Sequence, residues 1–162
     1  MNEIVVGVDM SQSARAALTW AAVQARAMGQ TLQAVHAIGG SPALSRTLGM
    51  RGVPVPIAAS EIDAVYREAV AAVFDSIQPE PRWQLKFFAG DAGPALVTES
   101  AGAALLVVGT KDHVGIGRLV SGSVSHYCLS HTQCPVVAVP AAPDPTADED
   151  RDHAATDTPA QS

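Results

Sequence analysis

A glycine- and hydroxyl-bearing stretch at residues 104–125 contains the residue types best suited to holding a small ligand. It begins with the apolar run ALLVV, which is typical of a buried strand, and Gly109 ends that run. It closes at Gly122 and Ser123, where a helical pattern begins. Glycine lets a backbone approach a ligand closely, and the unpaired N–H groups of a helix's first turn attract anions. The stretch therefore predicts a phosphate-binding turn between a strand and a helix.

The standard nucleotide motifs do not occur. No GxxxxGK[ST] segment is found, and Gly115-Ile116-Gly117 is followed by Val120 where GxGxxG requires a third glycine. The turn after the first apolar run, residues 9–11, contains no glycine. These absences argue against a P-loop and against a dinucleotide-binding domain.

Asp9 is the second candidate for ligand chemistry because it ends the first apolar run, EIVVGV at residues 3–8. In an open parallel sheet, ligands bind beyond the carboxyl ends of the strands where the winding direction reverses. If the strands that end at Asp9 and Gly109 are neighbours, both residues face one crevice. Asp9 would then accept hydrogen bonds from a ribose or base, or hold a metal-bound phosphate. The alternative is that Asp9 caps the following helix, and both roles are compatible.

Apolar runs and helical patterns alternate along the chain and predict the elements that position these residues. Strands are predicted at residues 3–8, 31–38, 83–88, 104–108 and 135–139, and helices at 11–28, 60–78, 94–100 and 121–131. This order predicts an α/β fold, a three-layer arrangement of a five-stranded, mostly parallel, open twisted sheet with helices on both faces. Three prolines and four glycines predict no regular element between residues 39 and 59.

Composition and charge limit the possible partners and compartment. Six of the 16 acidic residues and one of the ten basic residues follow residue 140, so residues 141–162 are expected to form a disordered acidic tail. The remaining chain is nearly neutral and has no basic stripe for nucleic acid. No run reaches the roughly 18–20 apolar residues of a membrane span, and the N-terminus does not resemble a secretory signal. With only two cysteines, the expected location is the cytoplasm.

Neither catalysis nor a metal centre is expected from the side chains near the helix that follows the glycine-bearing loop. Ser125 and His126 are adjacent on one helix, and adjacent helical residues point apart. His126, Cys128, His131 and Cys134 do not share one helical face, because His126 lies off the face of Cys128 and Cys134 follows the helix. The cysteines are interpreted as small buried apolar residues. We therefore expect no catalytic residue and no metal ligand.

Three segments together resemble the universal stress protein family. They are the spacing Gly109-x2-Asp112-x9-Gly122-Ser123, the closing CPVVAV at residues 134–139, and the opening IVVGVD at 4–9 with its following strand end at Val35-His36-Ala37. The resemblance covers residues 3–140, and residues 1–140 are taken as one domain of this family. It implies a Rossmann-like sheet of order 3-2-1-4-5, a dimer and, in one branch, ATP in the crevice.

Carried onto this sequence, the resemblance implies that Asp9 and Ala37 flank the adenosine, while the loop and the following helix contact the phosphates. The implied nucleotide-binding residues are Asp9, Ala37, Gly109, Lys111, Asp112, Gly122, Ser123, Val124 and Ser125. The implied function is an adenine-nucleotide-binding or sensing module of a stress response, without evident catalysis. The alternative is a dimeric interaction protein whose degenerate pocket binds no nucleotide. The apolar last strand, Val136–Val139, is expected at the sheet edge and is predicted to form the homodimer contact.

Asp112 departs from the family pattern, Gly-x2-Gly-x9-Gly-Ser/Thr, because it replaces the second glycine. A carboxylate about 4 Å from a phosphate charge is repelled by about 4 kcal/mol at an effective dielectric near 20. A hydrogen bond to a charged group returns about 1.5–3 kcal/mol, so one such repulsion offsets two loop contacts. Lys111 or a Mg²⁺ ion would reduce the repulsion. We therefore expect weak ATP binding, or binding that needs a divalent metal.

Overall fold

Six strands and four helices alternate along the part of the chain that the computed structural model describes, residues 3–38, 55–58, 62–110 and 123–141. In chain order they are β1 (Glu3–Gly7), α1 (Gln12–Met28), β2 (Thr31–Ile38), β3 (Val55–Ile57), α2 (Ala64–Asp75), β4 (Gln84–Ala89), α3 (Ala92–Glu99), β5 (Leu105–Thr110), α4 (Ser123–His131) and β6 (Val136–Pro140). The predicted strand at 31–38 has the same bounds as β2. The predicted helix at 60–78 is shorter at both ends, and its start is fixed by the side chain of Asp63, which caps the first turn.

The strands form one sheet of order β3-β4-β2-β1-β5-β6. Only β3 runs antiparallel to its neighbour; the other strands pair in parallel. Numbered without β3, the remaining five strands have the order 3-2-1-4-5 that the family resemblance implies. The α/β class, the mostly parallel sheet and the edge position of the last strand are thus confirmed, while the described residues form six strands and not five.

The additional strand corrects the prediction that residues 39–59 contain no regular element. Val55, Pro56 and Ile57 pair with Ala89, Phe88 and Phe87 at the edge of the sheet. Proline cannot donate a ladder hydrogen bond, but an edge strand has one side without a partner strand and tolerates it. The proline that argued against a strand is therefore compatible with this one because of its edge position.

Side chains from the two sides of each strand enter two separate apolar clusters. Ile4 and Val6 of β1 pack with residues of α1 and α2, whereas Val5 packs with residues of α3 and α4. This alternation places α1 and α2 on one face of the sheet and α3 and α4 on the other. The helices on both faces follow from near-continuous apolar strands, since a parallel sheet buried on both sides needs a layer above and below.

The first turn of α1 lies directly against the carboxyl end of β5. Ser11 caps this helix, because its Oγ accepts a hydrogen bond from the Ala14 N–H at 3.2 Å. A Cβ atom placed on Gly109 would lie 2.6 Å from the backbone carbon and 2.7 Å from the carbonyl oxygen of Ser13. Only glycine at position 109 leaves room for the helix backbone at this distance.

We expect Gly109→Ala to destabilise the fold by about 1–3 kcal/mol or more, since the added methyl meets backbone that cannot move aside without displacing α1. The matched control is Gly7→Ala, where the added Cβ meets the Leu96 side chain at 3.0 Å and that flexible side chain can shift. Urea unfolding followed by circular dichroism compares the two free energies of unfolding. Equal losses in the two variants would contradict the backbone contact at Gly109.

Candidate functional site

A crevice opens where β1 and β5 separate at their carboxyl ends. Pairing between these strands extends only from Ile4↔Leu105 to Val6↔Val107. On the outer sides, β1 pairs with β2 as far as Gly7, and β5 pairs with β6 as far as Thr110. The connections from β1 and from β5 run in opposite directions along the sheet, so this gap is the topological switch point at which ligands bind in open α/β sheets.

The crevice holds an open cavity of about 150 Å³. A single water needs only about 10–15 Å³, so side chains leave the crevice unfilled. The lining residues are, from the strands, Gly7, Val35, His36, Ala37, Val108 and Gly109; from the connection between β1 and α1, Val8, Asp9 and Ser11; and from the helices, Ser13, Ala14, Ala92, Leu96, Val124 and Ser125. Most of these residues are apolar, glycine or serine, and Asp9 and His36 are the other polar ones.

The N-terminal ends of three helices meet at this cavity. Lining residues come from the first turns of α1, α3 and α4, among them Ser13, Ala92 and Ser125. Each helix N-terminus carries unpaired N–H groups and about half a positive charge from its aligned peptide dipoles. The crevice therefore favours an anionic group without a basic side chain among the lining residues.

Gly93 brings two of these helices together. A Cβ at this position of α3 would lie 2.8 Å from Cδ1 of Tyr127 in α4, so the aromatic ring occupies the space that any other residue would fill. The Tyr127 ring in turn stacks on His131 with centroids 4.0 Å apart, and His131 Nδ1 is 2.9 Å from the Tyr127 carbonyl oxygen. The Gly93–Tyr127 contact thus packs α4 against α3, and the two contacts with His131, within α4, support the Tyr127 ring in that position.

Five of the nine residues implied as nucleotide-binding line the cavity. They are Asp9, Ala37, Gly109, Val124 and Ser125. Lys111, Asp112 and Gly122 lie outside the described residues. Ser123 begins α4, but its side chain is also outside the described part of the chain.

Asp9 reaches the crevice from the turn between β1 and α1. Its Oδ1 accepts a hydrogen bond from the Ser11 N–H at 2.7 Å, which closes the turn. The alternative prediction, that Asp9 caps α1, is corrected: Ser11 is the capping residue. Asp9 binds the backbone of that capping residue and does not itself cap the helix. Its exposed carboxylate also lines the cavity, as the ligand-binding role requires.

Sequence reasoning missed several lining residues. Ser13, Ala92 and Leu96 lie in first or second helical turns with no motif of their own, and only the strand order shows which turns meet. Val35 could have been found, because it is two residues before Ala37 on the same strand face. His36 is buried and has a hydrogen-bond partner at each ring nitrogen.

The two cysteines are free thiols in the α3–α4 face of the core. Burial, with a smaller contribution from nearby Cys134, raises the pKa of the Cys128 thiol to about 11. Cys128 is thus protonated at neutral pH and is a poor nucleophile.

Within the described ranges, no three His, Cys, Asp or Glu side chains are grouped to hold a metal ion. No described helix is both long and apolar enough to cross a bilayer.

The sheet order, the crevice and its helix N-termini define an α/β protein with a ligand cavity at the switch point. The model of the universal stress protein family matches residues 1–140, and the chain belongs to that family.

Solved structures of universal stress proteins share this fold. One, in complex with cAMP, is 23% identical, with a TM-score of 0.59 over 87% of this chain and 98% of that chain. The protein from Archaeoglobus fulgidus in complex with dAMP is 19% identical, with a TM-score of 0.54 over 86% and 98%. UspA from Lactobacillus plantarum is 21% identical, with a TM-score of 0.55 over 85% and 97%.

Proposed function

We propose that this protein binds an adenine nucleotide in the crevice between β1 and β5. The observation that carries the proposal is the open cavity at the switch point, lined by the first turns of three helices. Two structurally similar family members are described in complex with cAMP and dAMP, which supports an adenine nucleotide as the ligand class.

The lining suggests how such a ligand would lie. Val35, Ala37 and Leu96 offer an apolar surface for a purine ring, and the Asp9 carboxylate can accept a hydrogen bond from a ribose hydroxyl. The phosphates would then face the first turn of α4, where Val124 and Ser125 line the cavity.

We further propose that the physiological ligand is ATP, bound with Mg²⁺ where Asp112 repels the phosphates. The protein would act as a cytoplasmic sensor of adenine nucleotide in a stress response. The proposed role is binding, in line with a sequence that predicts no catalytic residue and with described residues among which no three His, Cys, Asp or Glu side chains are grouped to hold a metal ion.

Denaturing the purified protein and separating the released small molecules by chromatography tests the proposal directly. Titration calorimetry with ATP, AMP and cAMP then ranks the ligands. Retained adenine nucleotide, or a measurable dissociation constant for one of the three, supports nucleotide binding. No retained nucleotide and no heat with any of them would favour the interaction protein with an empty pocket.

Ala37→Phe should weaken adenine nucleotide binding more than ten-fold, because a phenyl ring at this lining position occupies the cavity. Ala27→Phe is the matched control, since Ala27 is exposed on α1 and does not line the cavity. Calorimetry on both variants, each shown to be folded by circular dichroism, gives the comparison. Unchanged binding by Ala37→Phe would place the ligand elsewhere.

Asp112→Gly should strengthen ATP binding about ten-fold or more without a divalent metal, because it removes a carboxylate from the predicted phosphate side. Asp112→Asn retains a side chain of similar size and removes only the charge, so it separates repulsion from backbone freedom. Added Mg²⁺ should reduce the difference in ATP affinity between the unmodified protein and both variants. Tight, metal-free binding by the unmodified protein that neither variant improves would refute the repulsion.

We propose that β6 pairs with β6 of a second copy to form a homodimer. β6 is the edge of the sheet among the described strands. Leu106 N–H donates to the Pro135 carbonyl at 2.9 Å, so Pro135, Val137 and Val139 direct their backbone groups toward β5. By strand alternation, Val136 and Ala138 direct theirs to the free edge, where a second copy could pair around a two-fold axis.

Ala138→Pro should convert the dimer to a monomer, because it removes an outward N–H and leaves those that face β5. Ala138→Val retains the N–H and should remain dimeric. Light scattering coupled to size-exclusion chromatography measures the two masses. A monomeric mass for the unmodified protein, or a dimeric mass for Ala138→Pro, would exclude pairing through β6.

A further inference from the structure

Val8, the residue between β1 and Asp9, is bound to β2 through both of its backbone groups. Its N–H donates to the Val35 carbonyl oxygen at 2.9 Å, and its carbonyl oxygen lies 2.7 Å from Nδ1 of His36. The carbonyl therefore points toward β2. A trans peptide places its C=O and the following N–H on opposite sides. The Asp9 N–H consequently points away from β2, toward β5 and the crevice.

The His36 side chain holds this peptide in one orientation. Because a carbonyl oxygen can only accept, the proton shared with Val8 lies on Nδ1 of His36. If the ring carries no second proton, Nε2 is an acceptor for the Tyr66 hydroxyl of α2, whose oxygen lies 2.9 Å away. Phe87 packs edge-on against the ring, with centroids 5.9 Å apart, and the side chain is 3% exposed. Tautomer and ring position are thus both set by buried contacts.

Asp9 is fixed from its other side as well. Its carboxylate accepts from the Ser11 N–H, which ties the turn to the start of α1. Within the described part of the chain, the Asp9 N–H has no hydrogen-bond acceptor of its own. An oriented donor without an acceptor among the described residues, on a residue that lines the cavity, is suited to an acceptor atom of a ligand.

We propose that His36 is a positioning residue for ligand binding, which it supports by aiming the Asp9 main-chain N–H at an acceptor atom of the nucleotide. This inference rests on the proposed function of the crevice. His36 lies on the α1–α2 side of the sheet and acts through the Val8–Asp9 peptide, so it needs no contact with the nucleotide itself.

Three variants separate positioning from general stability. His36→Leu removes the donor to Val8 and should weaken ATP binding about ten-fold, the equivalent of one hydrogen bond. His36→Asn places an amide N–H near the position of Nδ1 and should restore affinity to within about three-fold of the unmodified protein. Tyr66→Phe removes the outer hydrogen bond of the same network, retains the donor to Val8, and should also bind within about three-fold. A purely structural role predicts instead that affinity follows the free energy of unfolding across the three.

Nitrogen-15 NMR gives a readout of the same geometry. Long-range ¹H–¹⁵N spectra of the neutral His36 ring should show the proton on Nδ1, and the Asp9 amide resonance should shift when ATP is added. A proton on Nε2, an Asp9 amide that ATP leaves unchanged, or full affinity in His36→Leu would overturn the positioning role while nucleotide binding stands. Absence of nucleotide binding by the unmodified protein would overturn the proposed function, and the positioning role with it.

Discussion

The contact between the first turn of α1 and the end of β5 is the constraint on which the crevice depends. Gly109 allows the backbone at Ser13 to lie where a Cβ would otherwise be, so the helix N-terminus is held beside the gap between β1 and β5. The glycine was expected to let main chain approach a phosphate. Its structural role is to let one segment of main chain approach another, and the ligand cavity is a consequence of that packing.

Main-chain groups and not side-chain charges give the crevice its electrostatic character. Among the described lining residues, Asp9 is the one with a formal charge, and it is negative. Among these residues, the groups that attract an anion are the helix N-termini, each worth about 0.3–1 kcal/mol, and main-chain hydrogen bonds to a charged group, each worth about 1.5–3 kcal/mol. Such contributions are small individually and depend on geometry. This explains why an oriented peptide such as Val8–Asp9, or one added carboxylate, is expected to change affinity measurably.

The sequence predicted the local elements well because each depends on neighbouring residues. Apolar runs defined the strands, and the helix predicted at 11–28 differs by one residue from α1, which Ser11 and Gly29 cap. Asp9 was a candidate from its place at the end of the first apolar run, whereas Ala37 entered the predicted site only through the family resemblance. Ser13, Ala92 and Leu96 were missed because their proximity depends on the order of the strands, which no local pattern specifies. The short strand β3 was missed because Pro56 is unfavourable in a strand interior and acceptable at an edge.

The two faces of the sheet contribute differently to the site. Ala37 of β2 lines the cavity on the face that carries α3 and α4, and residues of these two helices line it as well. A substitution such as Ala37→Phe therefore changes the space available to a ligand. Tyr66 and His36 belong to the opposite face and determine the direction of a peptide at the end of β1. A buried polar network is costly unless every member has a partner, and in this one both ring nitrogens are bonded. A leucine at position 36 would suit the apolar surroundings, yet it would leave the Val8 carbonyl free to turn, and the Asp9 N–H would no longer have a fixed direction.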